Sequence, residues 1–121
     1  MKIIFNYKTP FKAALVFRQY DTINLPLDAV YVDEITGVET PFDFTGFCVF
    51  AQFRRLDGIL IKELRSCISP GQIVITGNQL LLCNETFDSV DFMFYDIKIF
   101  NLTEQYRIVY GYSKVEKSAT I

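Results

Sequence analysis

The chain has 121 residues, half of them hydrophobic, with twelve Phe, seven Tyr, no Trp and no His, and its 12 basic and 14 acidic residues leave a net charge of −2. That composition supplies a core for one domain and excludes a disordered chain. It also provides no broad positive field for nucleic-acid phosphates, and no His for a Ser-His or Cys-His nucleophile pair.

Residues 2–5 and 13–20 are apolar and β-rich, although "FKAALVFRQY" also suits a short helix by composition. The opening "MKIIFNYKTP" has too short an apolar run for a signal-peptide core, and nothing approaches the roughly 18 apolar residues of a membrane helix. The expectation is therefore synthesis in the cytoplasm and no membrane partner. In "TINLPLDAVYV" Ile23, Leu25, Leu27 and Ala29 share one face, and Pro26 on the other argues for an edge position. "EITGVET" is a Gly-containing turn. The strand after it sets Phe47, Val49, Ala51 and Phe53 on one side and Cys48, Phe50, Gln52 and Arg54 on the other.

Asp57-Gly58 is a two-residue hairpin signal, "SPGQ" (69–72) a Pro-Gly turn, and Gly77-Asn78 a second tight hairpin between "QIVIT" and "QLLLCN". "NETFDSVD" holds one helical turn at most. "FMFYDIKIF", the turn "NLTEQ" and the strand "YRIVYGYSKVEK" close the chain. About seven or eight strands and no long helix predict an all-β fold, an antiparallel, Ig-like β-sandwich.

Cys48, Cys67 and Cys83 are odd in number, with no CxxC pair, so they are expected as three free thiols with no metal and no cofactor. The "NET" and "NLT" sequons read as turn residues without a secretory signal. The acids Asp33, Glu34, Asp88, Asp91 and Asp96 are scattered on the sequence, whereas a glycosidase needs two across a cleft. The chain is expected not to be an enzyme.

In order along the chain, five elements resemble small β-sandwich proteins of tailed bacteriophages, among them the N-terminal domains of upper-baseplate and fibre-attachment proteins. "QYDTINLPL" (19–27) is similar to their "GDTxxLxL", and "FDFTGF" (42–47) to their hydrophobic-Asp-hydrophobic-Thr-Gly-aromatic turn. "CVFAQFR" is similar to "xVRAQVR", followed by the Asp57-Gly58 hairpin. "GQIVITGNQLLLCNETFDSV" is similar to their paired strands and short helical turn, and "FYDIKIF" with "YRIVYGYSKVEK" to their "YDLEL … RLLxGxVxV" ending. The resemblance covers about residues 19–118. Residues 1–18 have no counterpart, and Ser113 stands where those proteins place Val. This divides the chain into an N-terminal segment or arm, 1–18, and a β-sandwich domain, 19–121.

The resemblance implies a structural virion protein that docks onto or links other particle proteins, at the neck, tail, baseplate or head-fibre attachment, as a homo-oligomer in a ring or trimer. It also implies which face is inward. With Val49, Ala51 and Phe53 inside, so are Met93, Tyr95, Ile97, Ile99, Val109, Gly111 and Val115, while Ile108 joins the outward set. Phe50, Phe92, Phe94, Phe100, Tyr110 and Tyr112 then share the outer side as a candidate protein interface. Either a partner covers them, or residues 1–18 fold back over them. A receptor- or carbohydrate-binding module is the alternative function, and an oligonucleotide-binding barrel is disfavoured by the charge.

Overall fold

Alternation of side chains along each strand decides which residues meet in the core. The computed structural model describes residues 1–68 and 71–118, which form eleven strands and no helix. In chain order these are β1 (Lys2–Phe5), β2 (Phe11–Lys12), β3 (Leu15–Arg18), β4 (Leu25–Val32), β5 (Glu39–Pro41) and β6 (Cys48–Arg55). There follow β7 (Leu60–Arg65), β8 (Ile73–Thr76), β9 (Gln79–Leu82), β10 (Asp91–Phe100) and β11 (Gln105–Glu116). A five-stranded sheet runs β1-β4-β9-β8, with β5 also on β4. A six-stranded sheet runs β2-β11-β10-β6-β7, with β3 also on β11.

The two sheets enclose one core, which makes the molecule β-sandwich-like. Val49, Ala51 and Phe53 of β6 and Met93, Tyr95, Ile97 and Ile99 of β10 are all buried, as the alternation predicts. Phe53 stacks on Tyr95 and meets Phe17 and Phe87 edge-on, so aromatic rings from the six-stranded sheet and from the β9–β10 connection fill the centre.

The strand count exceeds seven or eight, and the pairing is mixed. Every parallel pair involves the first eighteen residues: β1 on β4, and β2 and β3 on β11. From β4 onward all ladders are antiparallel. The strands of residues 1–18 thus belong to both sheets. A turn at Asn6 makes the crossing: its side-chain oxygen accepts the N–H groups of Lys8 and Thr9 at 2.9 and 2.8 Å. "FKAALVFRQY" is strand rather than helix, broken at Ala13 and Ala14.

Four further expectations are corrected or refined. Pro26 lies in a central strand, yet β1 begins pairing only at Asp28, so the Pro26 nitrogen faces no ladder on that side. Ile108 is buried rather than outward, because a register shift beside Ile97 and Lys98 makes it an extra residue in β11. The segment expected to hold one helical turn at most holds no helix and forms an isolated bridge from Thr86 to Thr22. Cys48 and Cys67 are joined in a disulfide with Cα atoms 5.8 Å apart, which leaves Cys83 as the free thiol. The cause is the β6–β7 hairpin, whose pairing of Phe50 with Arg65 brings the two cysteines together two residues further out.

The Gly77-Asn78 hairpin is as expected, with Thr76 opposite Gln79. In "FDFTGF", Asp43 accepts from the Thr45 N–H and hydroxyl, and Gly46 has φ +87°, a conformation that favours glycine. Ser69 and Pro70 of the expected Pro-Gly turn lie outside the described residues.

Candidate functional site on the outer face of the six-stranded sheet

Strand register places the six predicted interface residues in rows across β7, β6, β10 and β11. One row reads Leu60, Arg54, Phe94, Tyr112. The next reads Glu63, Gln52, Asp96, Tyr110, and the third Arg65, Phe50, Lys98, Arg107. Phe92 sits opposite Lys114 at one end and Phe100 opposite Cys48 at the other.

The six therefore do not make one continuous aromatic patch. The middle row is polar: Gln52 donates to Glu63 at 2.9 Å, and Lys98 approaches Asp96 at 3.8 Å. Phe50 and Phe100 form their own edge-to-face pair at 5.3 Å, half-buried, with Arg65 and Lys98 at 5.7 and 5.8 Å from the Phe50 ring. These cations and the second ring cover Phe50 without help from the core. At the other end Phe92, Phe94 and Tyr112 are 59%, 38% and 61% exposed.

The N-terminal strands do not cover that end. They extend the sheets at their margins, β2 and β3 on β11 and β1 on β4, and leave the outer face open. Phe94, Tyr110 and Tyr112, with Leu56 from the β6–β7 turn, line an open groove of about 580 Å³. Lys12 and Arg107 bring positive charge to it, and the Arg107 guanidinium lies 5.0 Å from the Tyr110 ring. Among the described residues Lys12, Arg54 and Arg107 make no ion pair with a carboxylate.

The acids are used locally. Asp33 accepts from the Ile35 and Thr36 N–H groups, and these bonds hold its carboxyl below the ordinary range. Asp91 accepts from the Phe92 N–H, and Asp88 from the Thr86 hydroxyl. Among the described residues no group of three His, Cys, Asp or Glu side chains is placed to hold a metal ion.

Two features escaped the sequence reading. At one end of the sandwich Tyr7 stacks on Tyr106 at 4.1 Å and tilts against Tyr31, tying β11 to the five-stranded sheet. Burial and the neighbouring phenols push the Tyr7 hydroxyl up. On the outer side of the five-stranded sheet, Val74, Leu81 and Pro26 form one apolar row and Ile4, Val30 and Pro41 another. The signal was present in "IVI" and "LLL", since unbroken apolar runs belong to strands apolar on both faces. No protein-family model matches the chain, and no curated protein matches it.

Proposed function

We propose that this protein is a non-catalytic structural component of a tailed-bacteriophage virion, made in the host cytoplasm, which docks onto or links other particle proteins. Its partners are other virion proteins and further copies of itself, in a ring or trimer, with no nucleic acid and no membrane. The observation that carries this reading is the cluster of Phe92, Phe94 and Tyr112, exposed on a sheet face that the other described residues leave open. Aromatic side chains grouped in this way are costly in water and typical of interface centres. The ordered motifs of residues 19–118 supply the phage context. The all-antiparallel ladders from β4 onward agree with an Ig-like domain to which the first three strands were added.

Mass spectrometry of purified, nuclease-treated particles tests the proposal. The chain should be present in fixed stoichiometry with other structural proteins; its absence from particles refutes the reading. A carbohydrate-binding module is the second reading, favoured by one observation: three aromatic rings and Asp96 line the same open groove. Specific binding on a glycan array, abolished by Tyr112→Ala, would establish it.

A further inference from the structure

We infer that copies of this chain associate head to tail, the β4–β5 hairpin tip of one seated in the Phe94–Tyr110–Tyr112 groove of the next. The inference rests on the assembly reading above and names one contact within it.

The groove belongs to a face whose charge opposes that of the rest of the molecule. Strand alternation puts Lys12, Arg18, Arg54, Arg65, Lys98, Arg107 and Lys114 on the outer side of the six-stranded sheet, with only Glu63, Asp96 and Glu116. Seven basic against three acidic residues is +4; the remaining five basic and eleven acidic residues are −6, which together give the chain's −2. A second copy thus presents a mostly acidic surface to this basic face.

Within that acidic remainder, one element is shaped to enter a groove. Asp33 to Val38 form the β4–β5 tip, where Ile35 is 90% exposed and Val38 is exposed beside it. The tip is already ordered. Asp33 Oδ1 accepts from Ile35 and Thr36 at 2.9 and 2.8 Å, and Asp33 exchanges backbone bonds with Val38 and Gly37 at 2.9 and 2.8 Å. Preformed loops lose little entropy on docking. Asp33, Glu34 and Glu39 flank the two apolar residues along the chain. Glu34 and Glu39 hold only exposed ion pairs with Lys8 and Lys2, which exchange readily for others.

The groove, at about 580 Å³, is large enough for Ile35 together with a neighbour from the tip. In such a complex Ile35 lies against Phe94 and Tyr112, and the carboxylates approach Lys12, Arg54 and Arg107. Tip and groove are carried by different sheets, so each copy offers one of each. The contact is heterologous and closes into a ring or continues as a filament.

Sedimentation of the purified chain over rising concentration, with two variants, tests this. Ile35→Lys disables the tip and keeps the groove; Arg107→Glu disables the groove and keeps the tip. Both sites are exposed, and circular dichroism verifies the fold. The wild type should associate, and each variant alone should associate at least tenfold more weakly. An equimolar mixture should recover a 1:1 dimer, because one intact tip meets one intact groove. A monomeric wild type, variants that associate normally, or a mixture with no recovery each overturn the contact. A wild type that stays monomeric yet is present in particles refutes this contact alone, whereas a self-associating chain absent from particles refutes only the virion reading.

Discussion

The hydroxyl of Tyr95 donates a 2.7 Å hydrogen bond to the carbonyl of Ala13, at the break between β2 and β3. The opposite residue on β11 is Gly111, where a Cβ would collide with that same Ala13 carbonyl. A buried phenol in the centre of one strand and a glycine in the next together seat the N-terminal segment. Burial pushes the Tyr95 hydroxyl far above its ordinary pKa, so it remains a donor. Tyr95→Phe should cost about 1–2 kcal/mol in denaturant unfolding by orphaning the carbonyl. Gly111→Ala should cost on the order of 1–3 kcal/mol by forcing β2 away. Unchanged stability in both would mean that the segment is held by other contacts.

The Cys48–Cys67 link closes a separation of 19 residues, for which loop-closure entropy gives about 3 kcal/mol. Denatured, unreduced protein should therefore alkylate at Cys83 alone. Reduction should lower the melting temperature while leaving β-type circular dichroism at 25 °C, since the core does not depend on the link. Three alkylated thiols without reductant would contradict the pairing.

Ser113 is buried on β11, and among the described residues its hydroxyl has no hydrogen-bond partner. Leaving a buried hydroxyl unpaired is unfavourable, so Ser113→Ala should raise stability by up to about 1 kcal/mol. A loss of stability on the same change would show that the hydroxyl is satisfied.

Glu85 accepts from Gln72 at 2.6 Å and Lys62 at 3.2 Å, and these bonds hold its carboxyl below the ordinary range. Because the folded pKa is the lower one, the unfolded chain takes up the proton first. The contribution is complete above the ordinary Glu range and is lost as the pH falls through it toward the folded value. In Glu85→Gln, stability should decline less steeply on acidification. Identical acid limbs in the two proteins would remove Glu85 from the account.

Much of the domain was legible where alternation is strict and the turn chemistry strong. The inward sets of β6 and β10 and the Gly77-Asn78 hairpin follow from local pattern alone. Non-local choices were not legible. Nothing in "FKAALVFRQY" shows that it adds parallel strands to β11, and the register shift that buries Ile108 has no local mark. The disulfide was closer to hand: counting outward from Asp57-Gly58 as a two-residue turn sets Phe50 opposite Arg65 and Cys48 opposite Cys67. The structure reaches that register instead through a turn closed by Arg55 and Ile59 and a register shift at Phe53 and Arg54. The candidate face was found in outline, but its polar middle row appears only once Gln52 and Asp96 are seen side by side. Ser113, where the proposed phage resemblance would place Val, is among the described residues also where the core holds an unpaired hydroxyl.

The claim that the outer face of the six-stranded sheet is a docking surface is tested most directly by Phe94→Asp. In the isolated chain the new carboxylate faces water, so melting temperature and circular dichroism should stay close to wild type. At an interface the change removes the buried ring and leaves a carboxylate to be desolvated between Arg54 and Tyr112, a loss that the Arg54 charge offsets only in part. Incorporation of the variant into particles, measured against wild type in the same complementation assay, should fall at least tenfold. A normally folded Phe94→Asp chain that enters particles at the wild-type level would contradict the account.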